Sequence, residues 1–180
     1  MSEQKNKARS SAYSICITAV FAALCCAATF IAIPLPIGYF NLGDIFVLLS
    51  GYCLGPVFGT IAAGFGSALA DVLGGYVIYA PATCIIKAGM VLVSYFIYRL
   101  LGKNVSSKKI DFLLRFVAAL LAEALMVVGY FVYDSLFLGY GLGAAASIPG
   151  NCLQGVFGIA GYLVIASALK ASGIAKKFWG

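Results

Sequence analysis

The sequence contains no histidine among its 180 residues, and that absence closes several chemistries at once. Ser-His and Cys-His nucleophile pairs, imidazole metal sites and histidine proton shuttles all need the missing ring. Charge is scarce too: 10% of residues are charged and six are acidic. A soluble domain carries about 25% charged residues, so this chain has too few to cover itself in water. The six cysteines, Cys16, Cys25, Cys26, Cys53, Cys84 and Cys152, form no CxxC spacing and sit inside apolar runs. They read as small buried hydrophobes rather than redox or metal groups. No GxxxxGKS/T phosphate loop occurs; after the only Gly-Lys pair, Gly102-Lys103, comes Asn104. Any ATP-driven work must therefore draw on other subunits. Neither a domain linker nor a clear internal repeat is visible, which counts against folds built on duplicated halves.

What the chain does have is apolar length. It is 63% hydrophobic with a mean hydropathy of +1.03. That composition predicts a single transmembrane domain, an all-α polytopic protein of the plasma membrane. The net charge of +6 is not a nucleic-acid patch, because eleven of the twelve basic residues flank apolar runs. Lys5, Lys7 and Arg9 precede the first run, Arg99, Lys103, Lys108, Lys109 and Arg115 surround the long polar connection, and Lys170, Lys176 and Lys177 close the chain. Such flanking charge marks the cytoplasmic side. Lys87 is the exception.

Residues 1–9 form a polar tail, and the expected spans are 10–33, 42–54, 56–73, 82–100, 112–133 and 148–169. The first has the basic start of a signal peptide but exceeds its usual apolar length of about 7–15 residues, so a retained helix is expected. Gly55-Pro56 splits the second and third, with Pro56 suited to a first helical turn. A single kinked helix there would leave five spans and put the basic clusters on opposite sides. Six spans put them all on one side, with both termini cytoplasmic. Six is therefore the expectation.

With that layout the polar residues gather near the outer face. The candidates for contact with a small ligand are Asn41, Asp44, Tyr76, Tyr79, Lys87, Glu123, Tyr130, Asn151 and Gln154. Ionisable groups inside a membrane are costly, about 2.5 kcal/mol or more each at the centre, so each needs a partner or a wet cavity. Lys87 could instead be a structural tie to Asp71 or Glu123, and Asp44 a first-turn charge on its helix. The tyrosines could form an interfacial belt, and the amides could bond between helices. Asn151 and Gln154 lie about one turn apart and share a face. Gly59, Ala63, Ser67 and Asp71 make a small-residue row along one helix, and Ala19 and Ala23 a second on the first helix. Such rows let helices approach closely.

The strings Asn41-Leu-Gly-Asp44, Val47 to Tyr52, Leu54 to Gly59, Gly66 to Asp71, Gly75-Tyr76, Tyr79 to Thr83 and Ile85-Ile-Lys87 resemble a known family. It is the substrate-binding S component of energy-coupling factor (ECF) vitamin transporters, in the riboflavin, pyridoxine or hydroxymethylpyrimidine branch. The resemblance implies capture of a vitamin at the outer face, in a pocket built from loops one, three and five with helices four to six. It implies no catalysis and no cofactor held by this chain. Its partners would be a transmembrane T component and two cytoplasmic ATPase subunits, which alone use ATP. Ala19 and Ala23 would face the T component. Pyridoxine is the first expected ligand, since aromatic and amide candidates with one cation suit a small, flat, hydroxylated heteroaromatic; hydroxymethylpyrimidine and riboflavin come next. The alternative is a self-sufficient proton-coupled carrier, with Glu123 and Asp71 as coupling carboxylates. A membrane enzyme is the weakest reading, because Asp44, Asp71 and Glu123 lie on three different helices.

Overall fold

Backbone amides have no water to bond in hydrocarbon, so apolar runs of this length close their hydrogen bonds within helices. A computed structural model describes residues 2–31, 33, 34, 39–102, 105 and 107–173, without the side chains of 2–11, 34 and 39. Helix α1 (Ser2–Phe30) leads to strands β1 (Ile33–Pro34) and β2 (Tyr39–Phe40), which pair antiparallel with Ile33 opposite Phe40. Then come α2 (Gly43–Leu73), α3 (Ala80–Leu101), α4 (Lys108–Val132) and α5 (Ile148–Ala171). Proline stands in the first turn of α3 (Pro81) and of α5 (Pro149), where its missing N–H costs nothing. Helix α4 runs on through a π-helical turn, Tyr133–Phe137, and a 3-10 segment, Gly141–Ser147, precedes α5. A loop was expected over much of that stretch.

The expected six separate spans are corrected to five long apolar helices, the second of them bent back on itself. Among the described residues, the helices long and apolar enough to cross a membrane cover Ala12–Phe30, Gly43–Leu73, Ala80–Leu101, Lys108–Phe137 and Gly141–Ala171. The segments 42–54 and 56–73 fall into one element, α2, whose only non-helical residue is Gly55 at φ 76°, ψ −170°. Glycine alone adopts such a conformation readily, and Pro56 begins the second arm without needing an N–H partner. No connecting loop is therefore inserted. The bend is sharp: the Ser50 hydroxyl donates to Val47 O at 2.7 Å and reaches Gly59 O at 3.1 Å. Residues nine apart on a straight helix would be about 13.5 Å distant. The two arms of α2 thus lie against each other. The expected side of the termini rests on residues 1 and 174–180 and on the side chains of 2–11, outside the described residues.

The interior is built from small and medium side chains, among them Cys25, Val47, Leu48, Ala63, Met90, Ala119, Ala122, Met126 and Ala166. Large apolar residues such as Val57, Phe65, Ile85, Leu113, Val128 and Val164 point outward, as lipid contact allows. Helix α1 meets the backbone of α2 closely at Gly66, where an added Cβ would stand 2.4 Å from Ala22 O.

One end of the bundle is tied by Asp111. Its carboxylate accepts from Tyr98 (2.7 Å) on α3, from Arg115 on α4 and from Lys170 (2.8 Å) on α5. Arg115 also donates to Ser167 at 3.2 Å. Charge-assisted bonds of this kind hold three helices in one register.

Candidate ligand pocket

The other end of the bundle opens into a cavity of about 270 Å³. Because α2 folds back at Gly55, residues flanking both of its ends, Asn41 and Asp71, line the same cavity. The start of α3 contributes Tyr79, Thr83 and Lys87, and the end of α4 contributes Tyr130. The start of α5 adds Asn151 and Gln154, and Tyr76 lines the same space from the turn before α3.

Beneath this lining runs a polar chain. The Lys87 ammonium bonds the Asp44 carboxylate, and both side chains are fully buried. Gln154 Nε2 donates to the other Asp44 oxygen at 2.6 Å, while Gln154 Oε1 accepts from the Asn41 amide at 3.2 Å. The Asn41 side chain in turn accepts from the Gly43 amide at 2.9 Å. A buried charge pair is tolerated when its remaining valences are met by hydrogen bonds, and here Gln154 meets one. Lys87 also sits 5.6 Å from the centre of the Tyr130 ring, within cation–π range, and the Tyr130 hydroxyl shares a 2.9 Å bond with Thr83.

Of the nine residues expected to contact ligand, seven line the cavity: Asn41, Tyr76, Tyr79, Lys87, Tyr130, Asn151 and Gln154. Asp44 and Glu123 do not. They meet below it at Gly158, where an added Cβ would lie 2.9 Å from Asp44 Cβ and 2.7 Å from Glu123 Oε1. The Lys87 tie envisaged to Asp71 or Glu123 is made to Asp44 instead, because the folded α2 brings its first turn against α3. Sequence reasoning passed over Thr29, Phe30, Thr83, Asp134 and Ser147 as lining residues. Asp134 had a visible signal, a carboxylate ending an apolar run; Thr29 and Phe30 had none.

Ala19 and Ala23 are exposed on α1, beside a second, shallower groove that α1 shares with Phe65, Leu69 and Leu73 of α2. That groove is about 530 Å³ and apolar.

A family described as "ECF-type riboflavin transporter, S component" matches residues 9–171. The chain belongs to this family of ECF S components. A solved S component of a bacterial ECF transporter shares the fold, with a TM-score of 0.71 at 22% identity over 89% of this chain and 97% of that one. An uncharacterised protein from the gap 3′ region of Pyrococcus woesei is 35% identical over 130 residues, 72% of this chain and 80% of its own length. This S component is a substrate-binding membrane protein for ABC-driven vitamin uptake, and not an enzyme. Its long apolar helices place it in the membrane as a multi-pass protein. S components of this family pair with a T component and ATPase subunits.

Proposed function

We propose that this S component captures a small, flat, hydroxylated heteroaromatic vitamin at the outer face of the membrane, with pyridoxine as the first candidate. The observation that carries the reading is the cavity itself. At about 270 Å³ it is smaller than the roughly 300–1,000 Å³ of drug-sized ligand sites, which suits a single-ring vitamin. Tyr76, Tyr79 and Tyr130 offer ring faces for stacking, and Asn41, Asn151 and Gln154 offer amides that read ring nitrogens and hydroxyls. Lys87 serves the ligand and the Asp44 bridge together, with Asp44 and Glu123 supporting the floor. Hydroxymethylpyrimidine fits the same description. Riboflavin is the second reading, favoured by the description of the matched family.

The bound vitamin would be delivered through a T component and two cytoplasmic ATPase subunits, with no cofactor held by this chain. Ala19 and Ala23, exposed on α1, are the proposed contact with the T component. The competing reading is a proton-coupled carrier using Asp71 and Glu123. Calorimetry on the purified chain in detergent, without ATP or partners, should show binding of pyridoxine, hydroxymethylpyrimidine or riboflavin. No binding by any of the three would overturn the proposal. Uptake by the isolated chain in vesicles, driven by a pH gradient alone, would favour the carrier.

A further inference from the structure

Two carboxylates in the cavity wall have no work in the network just described. Asp71, at the end of α2, and Asp134, in the π-helical turn after α4, both line the cavity. They are 9% and 6% exposed. Each keeps one buried oxygen that accepts no hydrogen bond among the described residues, Asp71 Oδ2 and Asp134 Oδ1. The other Asp134 oxygen accepts from the Ser147 hydroxyl at 3.3 Å. Among the described residues neither carboxylate is in an ion pair, and the one cation in the lining, Lys87, is already bonded to Asp44. The walls therefore hold two acidic groups outside any ion pair among the described residues, each with an acceptor left over.

An enclosed acceptor without a donor loses its hydration and regains nothing, a cost that native structures rarely carry unless something else supplies the bond. The cavity is where a donor can come from. We infer that Asp71 and Asp134 are ligand acceptors, and that the S component takes an unphosphorylated heteroaromatic carrying at least two hydroxyl or amino donors. This inference rests on the vitamin-binding reading above and narrows it. A ligand with a hydroxyl or amine at each of two edges would complete both carboxylates. A phosphate or carboxylate on the ligand would instead meet acidic walls in a site with little water, where like charges repel strongly. The same vitamin is thus accepted in its free form and refused as its phosphate ester.

The test needs no variant in its first arm. Pyridoxine is titrated against pyridoxine 5′-phosphate, and riboflavin against riboflavin 5′-phosphate, with the purified chain in detergent. The free vitamin that binds should do so at least about 100-fold more tightly than its phosphate, the scale of losing charged hydrogen bonds and gaining repulsion. In the second arm, Asp71→Asn and Asp134→Asn should each weaken the free vitamin by about 10-fold or more. Both should also narrow the gap to the phosphate ester, which a mere size restriction would leave unchanged. Melting curves without ligand show whether each variant is folded. Equal or tighter binding of the phosphate ester, or unchanged affinity in both folded variants, overturns the assignment while vitamin binding stands. Absence of binding by every compound overturns the vitamin reading and this inference with it.

Discussion

Lys87 on α3 bonds Asp44 in the first turn of α2, 43 residues earlier, and neither side chain reaches solvent or lipid. The pair joins the two helices directly under the cavity, so it is both a tie between helices and part of the pocket floor. Removing one partner strands a buried charge. Lys87→Met should therefore lower stability by about 3–5 kcal/mol and weaken vitamin binding together. The double variant Lys87→Met/Asp44→Leu should recover much of the stability but not the binding. Thermal unfolding in detergent beside a ligand titration measures both. Unchanged affinity with a marked fall in melting temperature would end the ligand role of Lys87.

Glu123 presents the opposite case. It is 4% exposed, and neither carboxylate oxygen has a hydrogen-bond partner among the described residues. Its Cβ and Cγ pack against Gly155. An unsatisfied buried acid costs stability, and replacing it by an apolar group of similar shape is often neutral or stabilising. Glu123→Met should melt no lower than the parent chain and, if Glu123 only supports the floor, leave vitamin affinity unchanged. A variant that folds normally but loses binding would assign Glu123 a direct part in capture.

The bend in α2 should be the most sensitive backbone position. Gly55 holds a conformation that a Cβ strains by about 1–3 kcal/mol, and both ends of α2 depend on it to meet at the cavity. Gly55→Ala should lower the melting temperature and weaken vitamin binding, although Gly55 does not line the pocket. Retained affinity would show that the cavity assembles without this bend.

Ala19→Leu/Ala23→Leu tests coupling. Both alanines are exposed, so leucine should leave the fold and vitamin binding of the isolated chain intact. Copurification with the T component, and ATP-driven uptake, should be abolished, because the larger side chains hold a partner helix away. Loss of vitamin binding in the isolated double variant would show that the stripe supports internal packing.

Much of this protein is legible in its amino-acid order alone. Scarce charge and long apolar runs determine a helical membrane protein, and the absent histidine removes Ser-His and Cys-His nucleophile pairs. Helix positions follow from apolar runs long enough to cross hydrocarbon, which must close their backbone hydrogen bonds within themselves. Seven pocket residues are legible for a similar reason: a polar group in an apolar run has to face a partner or a cavity. The tertiary structure decided what joins what. Asp44 finds Lys87 43 residues away and Gln154 110 residues away. Gly55 turns two expected spans into one folded helix. Thr29 and Phe30 enter the cavity from α1 with no local mark of it. These outcomes depend on how closely and at what angle helices cross. Contacts such as Gly66 on Ala22 set that geometry, and glycine and alanine permit many crossings until the whole bundle selects one.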